Sequence, residues 1–233
     1  MPEIETSTDP LAPAEAIAYF KAKVPAADWE TIESAENEIA FKVAGIADLD
    51  VLDDVYAALE KALAEGASFE DFKADVGARL EDAWGGDEKN PGWRLENIFR
   101  TNLQSAYQAG HYQQAQEQKD DRPYGMLDVI EDSSTSEICS DLDAEIGGQA
   151  IPLDDPIWDT AYPPNHYECR STVITLTEDE AREMGILDDP PDVEVAEGFD
   201  HPPGFVPDED PEEYAPDLAE DVARFTDGGE EES

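Results

Sequence analysis

The chain has 233 residues, and 59 acidic side chains against 14 basic ones give it a formal net charge of -45 and a pI near 4.1. That balance excludes a basic surface suited to a phosphate backbone, and two cysteines, Cys139 and Cys169, exclude a disulfide scaffold. No run approaches the roughly 20 apolar residues of a membrane span, and MPEIETSTDPLAP lacks the basic and apolar regions of a secretory signal, so a soluble, non-secreted protein is expected.

Acids run through the whole chain, including segments with a good apolar face such as LDVLDDVYAALEKALAEG. Self-repulsion of this size opposes a compact state unless salt screens it. The pattern reads as the surface of a halophilic protein, with a DNA-mimicking or cation-buffering protein as the alternative.

In chain order, residues 12–23 place Ala16, Ile17, Tyr19 and Phe20 at helical spacing, and a second short helix is expected from Asp28. Leu52, Val55, Tyr56, Leu59 and Leu63 predict a helix over 49–64, with Gly66 at its C-terminal cap. Ser68 and Asp71 form a capping box for the next helix, whose buried stripe is Phe69, Phe72, Val76, Leu80 and Trp84. GGDEKNPG ends it. The longest helical pattern covers 93–119, with Leu95, Ile98, Phe99, Leu103, Ala106, Tyr107 and Gly110 on one face and dense polar positions between them. MLDVI (126–130) reads as a strand, DSSTSE (132–137) as a turn-rich connection, and STVITL (171–176) as a second strand paired with the first. TEDE (177–180) caps a short helix that ends near Gly185. From Asp188 onward the chain is proline-broken and acidic, an extended arm rather than a domain. The fold class is α+β, in three regions: an N-terminal helical region (1–90), a core of one long helix and a small sheet (91–187), and an acidic, proline-rich C-terminal arm (188–233).

Cys139, His166 and Cys169 are the candidate metal ligands. The position three after Cys139 is Leu142, so only one close pair exists where a structural zinc usually has two. A Cys–His catalytic pair would further require an orienting group and an oxyanion hole. The favoured reading of YPPNHYECRS (162–171) is architectural: Pro163 and Pro164 steer the chain, Cys169 is buried where the strand begins, and Arg170 pairs with an acid. No catalytic residue, metal or cofactor is therefore expected, His166 is expected to be dispensable, and loss of Arg170 is expected to affect folding first. Nucleotide-binding glycine motifs are absent. Arg94, Arg100, Arg122 and Arg170 are each expected to meet an acid, with phosphate binding as the alternative.

Taken in order, FRTNLQSAYQAGHY (99–112), RPYGMLDVIEDSSTS (122–136), GGQAIPLDDPIWDTAYPPNHYECRS (147–171) and GFDHPPG (198–204) resemble the phage Mu F-like, or head morphogenesis, family of minor head proteins. AIAYFKAKVP, FKVAGI and FEDFKADV resemble its N-terminal part, so the similarity runs from about residue 12 to about residue 205. The resemblance implies a non-enzymatic virion protein of a tailed virus, acting in head assembly and in DNA packaging or delivery. Its implied partners are the portal protein, then the major capsid protein and scaffold, with no direct nucleic-acid contact and no membrane. Its implied location is the head interior or portal vertex, and the host cytoplasm during assembly. Arg100, Asn102, Trp158, Asp159, Pro163, Pro164, Cys169 and Arg170 are the motif positions it marks as structural. This sequence departs where relatives often continue to C-R-C, having Ser171 instead, and where they carry His or C-x-x-C at the earlier turn, having Cys139 alone. His111 stands where an arginine is common. A metal-dependent hydrolase or toxin-like transferase, and an acidic DNA mimic, remain the competing expectations.

Overall fold

A computed structural model of the chain describes residues 13–26, 40–85 and 89–204. Among the described residues its α+β architecture includes two large hydrophobic cores that share one long helix. α1 (Ala14–Lys21) leads into β1 (Val24–Pro25), which pairs in parallel with β2 (Ala40–Phe41). The helix expected from Asp28 lies outside the described residues. α2 (Leu49–Glu65) starts where the Asp48 carboxylate accepts from the Asp50 and Val51 amides, and it stops at Gly66, whose φ of 70° suits a residue without Cβ. α3 (Phe69–Ala83) carries the full Ser68–Asp71 capping box.

α4 (Pro91–Glu117) begins earlier than the hydrophobic pattern implied. Asn90 accepts from the Trp93 amide, and Pro91 sits where its missing N–H costs nothing, so the last two residues of the expected loop become the first turn. The first half of α4 closes the first core: Leu95 and Phe99 meet Phe72, Val76 and Leu80, while Phe20, Phe41 and Tyr56 form an aromatic cluster on the other side. Gly110 lets α1 approach closely; a Cβ there would lie 3.1 Å from the Ala16 amide nitrogen.

The second half of α4 walls the second core with Tyr112 and Ala115. Its sheet has the order β4–β3–β5: β3 (Tyr124–Asp128) lies antiparallel to β4 (Ile151–Pro152) and to β5 (Thr172–Leu176). β3 sits two residues upstream of the expected strand because its partner ends at Thr172, opposite Asp128, which leaves Val129 and Ile130 unpaired in this ladder. Two helices were not expected. α5 (Glu137–Ile146) follows a turn over 132–135, and α6 (Ile157–Ala161) supplies Trp158, the largest side chain of this core. Gly125 makes room for that indole, since a Cβ on it would lie 3.0 Å from the Trp158, Leu153 and Val173 side chains. α7 (Glu178–Met184) has the expected Thr177–Glu180 capping box.

The beginning of the arm lies on the chain's own surface. Val193 and Val195 pack on the second core, the Ala196 amide donates to the Asn165 carbonyl, and Phe199 stacks edge-on against Tyr167 at 5.0 Å. Phe199 is thus engaged internally.

Candidate functional site

The turn before α5 is laced by local hydrogen bonds. The Ser134 amide donates to Asp132, the Asp132 amide donates to the Thr135 hydroxyl, and that hydroxyl donates to the Ile130 carbonyl. Ser136 then caps α5 by accepting from the Cys139 amide at 3.1 Å, which places the Cys139 thiol on the helix's first turn.

From the other side comes YPPNHYECRS. The Pro163–Pro164 peptide is cis, and Asn165 is wholly buried. His166 and Cys169 close a turn through the Cys169 amide and the His166 carbonyl, 3.2 Å apart. Glu168 occupies the left-handed region at φ 60°, uncommon for a residue with a Cβ, so the turn is held in an unusual shape. Two glutamines of α4, Gln104 and the buried Gln108, donate to the Ser171 carbonyl at 3.4 and 3.2 Å, fixing the end of the turn to the long helix.

Five side chains from these two segments converge. Cys139 Sγ lies 3.0 Å from His166 Nε2, 3.9 Å from Cys169 Sγ and 3.3 Å from Ser171 Oγ. Ser136 Oγ is 2.8 Å from the same His166 nitrogen, while His166 Nδ1 faces the Tyr167 carbonyl at 2.6 Å. That carbonyl can only accept, so the Nδ1 proton points to it and Nε2 faces the thiols. Both cysteines are buried and reduced. The hydrogen bond from Cys169 draws the Cys139 thiol below its ordinary range against the opposing effect of burial, with help from His166, Ser171 and Ser136. Cys169 is pushed up, first by Cys139 and then by burial. His166 is raised, first by its bond to Cys139.

Among the described residues, Cys139, His166 and Cys169 form the group whose potential ligand atoms all lie within 4.8 Å of one another. A cavity of about 10 Å³, lined in part by Ser136, Cys139, His166 and Ser171, adjoins it. A space of that size holds about one water or one ion.

Arg170 grips Asp132 with two bonds of 2.7 Å, tying the turn before α5 to the start of β5. The Arg170 guanidinium, and then the Ser134 amide, hold the Asp132 carboxyl at about 2, below its ordinary 3.8. A lowered folded-state pKa contributes stability above the ordinary value that is lost as pH falls towards the lowered one. Arg170→Ala is therefore expected to lower the melting temperature modestly near neutral pH, because the pair is about half exposed. The gap between wild type and variant should narrow as acid titrates Asp132; melting curves showing a gap that widens would contradict it.

The other motif positions are spread over the surroundings. Trp158 is buried and donates through Nε1 to the Pro152 carbonyl at 3.0 Å, whereas Asp159 is exposed on the same short helix. Arg100 pairs with Glu96 one turn earlier on α4, and Asn102 donates to the Ile98 carbonyl at 2.8 Å. Arg122 meets Glu180, and Arg94 lies over the Trp84 ring and donates to the Ala44 carbonyl. Ser136 and Gln108 had not been singled out, and Ser171 had been noted only as a departure from the relatives' C-R-C. Ser136 was detectable as the cap of a short amphipathic run, Cys139, Leu142 and Ile146; Gln108 carries no such signal.

The family model for Phage Mu protein F like protein matches residues 53–174, just over half of the chain. The chain belongs to the Mu F-like family. The matched stretch runs from α2 into β5, so it includes the long helix, the Cys139–His166–Cys169 cluster and parts of both cores. Two curated relatives extend the similarity. The "Putative capsid assembly protein F" of Escherichia phage Mu is 31% identical over 192 residues, 76% of this chain and 43% of the relative. The "Mu-like prophage FluMu F protein" of Haemophilus influenzae is 34% identical over 168 residues, 68% of this chain and 39% of the relative. This Mu F-like chain thus spans less than half the length of either relative. No solved structure matches it.

Proposed function

We propose that this chain is a head-assembly protein of a tailed virus or provirus, acting during capsid morphogenesis beside the portal. The observation that carries the reading is the similarity to a protein named for capsid assembly, which extends over three quarters of the chain. The portal is the proposed first partner, with the major capsid protein and scaffold beyond it, and the proposed location is the head interior or portal vertex. Assistance to DNA packaging or delivery is part of the same proposal, exerted through those partners rather than by direct contact with DNA, given a net charge of -45. That charge also supports a halophilic host.

The role is non-enzymatic. The Cys139–His166 pair has the separation of a nucleophile and its base, and this favours a thiol-dependent enzyme as the second reading. Against it, the cavity at Cys139 has room for about one water and none for a substrate.

Mass spectrometry of purified virions is the test. The chain is expected in the particles at a few copies per portal vertex and in complexes pulled down with the portal protein. Particles that package DNA normally and lack the chain would refute the assignment.

A further inference from the structure

Three features set the Cys139–His166–Cys169 cluster apart from the acids that crowd the rest of the chain. First, its ligand atoms are soft or borderline, two thiols and an imidazole, in a protein whose other potential ligands are almost all carboxylates. Second, the spacing of the two sulfurs suits tetrahedral zinc, while the imidazole sits about 0.5 Å closer to Cys139 than bound zinc would place it. Zn–S bonds of about 2.3 Å and Zn–N bonds of about 2.0 Å place two thiolates about 3.8 Å apart and a thiolate and imidazole about 3.5 Å apart. The two sulfurs here are 3.9 Å apart, and His166 Nε2 lies 3.0 Å from Cys139 Sγ. Third, the imidazole is already oriented. Its Nδ1 faces the Tyr167 carbonyl at 2.6 Å, the arrangement in which a histidine presents Nε2 to a metal, its ring held by a backbone acceptor.

We propose that Cys139, His166 and Cys169 bind one zinc-class divalent ion, with the fourth position beside the Ser171 hydroxyl. The three residues come from two segments about thirty positions apart, the first turn of α5 and the turn leading into β5. Bound metal clamps those segments together at the place where Gln104 and Gln108 fasten Ser171 to α4. Ser171 Oγ lies 3.3 Å from Cys139 Sγ, and the adjoining cavity of about 10 Å³ accommodates the hydroxyl or a water as the remaining ligand. Binding displaces the thiol protons to solvent and needs no redox partner. The sequence reading that expected no metal looked for two close ligand pairs; the fold instead supplies one close pair and a single cysteine on a helix. The site stands apart from the head-assembly reading, since metal content is measured on the pure protein and virion association on particles.

The test uses the untagged full-length chain, purified without oxygen, titrated with Co(II) and then displaced by Zn(II). Carboxylates also collect divalent ions, so the readout is the thiolate-to-cobalt charge-transfer absorption and the intense visible bands of tetrahedral Co(II). One equivalent is expected to saturate both. Cys139→Ser and His166→Ala are each expected to weaken Zn(II) binding by more than about 100-fold, beyond the range seen on changing outer partners of a ligand. Ser171→Cys, which keeps all three proposed ligands and puts a thiol in place of the hydroxyl beside the fourth position, is expected to strengthen the charge-transfer band and tighten binding by roughly 10-fold or more. Cobalt spectra of carboxylate type only, or a Cys139→Ser variant that keeps wild-type affinity and spectrum, overturn the proposal. So does a Ser171→Cys variant with unchanged spectrum and affinity, which guards against misreading a variant that fails to fold.

Discussion

Replacing Trp158 with alanine is expected to cost about 3–5 kcal/mol, the range for deleting a large aromatic from a packed core, and to lower the melting temperature by roughly 10 °C in a chain of this size. The indole is 2% exposed, stands edge-on to Tyr162 at 6.0 Å, and covers the space left open by Gly125 on β3. Truncation leaves a void between β3, α6 and Leu153 and strips the Pro152 carbonyl of its indole donor. Trp158→Phe keeps most of the volume and loses the N–H, so it should fall between wild type and alanine. Trp93, 54% exposed at the start of α4, is the control: Trp93→Ala is expected to change stability by no more than about 0.5 kcal/mol. Chemical denaturation of the three variants decides the matter, and equal losses at Trp158 and Trp93 would contradict this description of the core.

Salt is expected to have an effect as large. In the structure, basic residues are largely taken up in ion pairs such as Lys21–Glu60, Lys61–Asp75 and Arg122–Glu180, yet complete pairing would still leave a formal charge of -45. The Debye length is about 10 Å at about 0.1 M salt and about 3 Å at about 1 M, so carboxylates on neighbouring turns repel one another in the first condition and barely do in the second. Raising KCl from about 0.1 M to about 2 M is expected to raise the melting temperature by roughly 10 °C or more. An uncharged osmolyte such as sucrose stabilises by exclusion from the surface and leaves the repulsion in place, so matched sucrose should achieve less. A melting temperature flat across the KCl series would remove the halophilic interpretation and leave the acids to be explained by a cationic partner.

Much of the fold was legible because punctuation and period agreed. For α2 and α3, the stripes Leu52–Leu63 and Phe69–Leu80 lie between caps that chemistry makes recognisable, Asp48 and Gly66, then Ser68 with Asp71. β5 was legible from its β-branched run. α5 was not, because Ser, Thr and Asp before it are equally good turn formers and its apolar face has only three residues, Cys139, Leu142 and Ile146. α6 is five residues long, too short for a period to register. Missing α5 left the three candidate ligands named but not brought together. Spacing along the chain shows His166 and Cys169 as neighbours but cannot show that Cys139 joins them, since that depends on a helix not foreseen and on a turn with Glu168 in the left-handed region. Arg170 and its acid were legible as a type of contact, but the identity of the acid was not, with 59 to choose from.

The 27-residue α4 supplies a wall to both cores, Leu95 and Phe99 to one and Tyr112 and Ala115 to the other. At 1.5 Å per residue it is a beam about 40 Å long. Neither core is closed without it, so loss of the whole beam exposes both hydrophobic interiors to solvent together. Melting of α4 as a whole would therefore couple the loss of one core to the loss of the other.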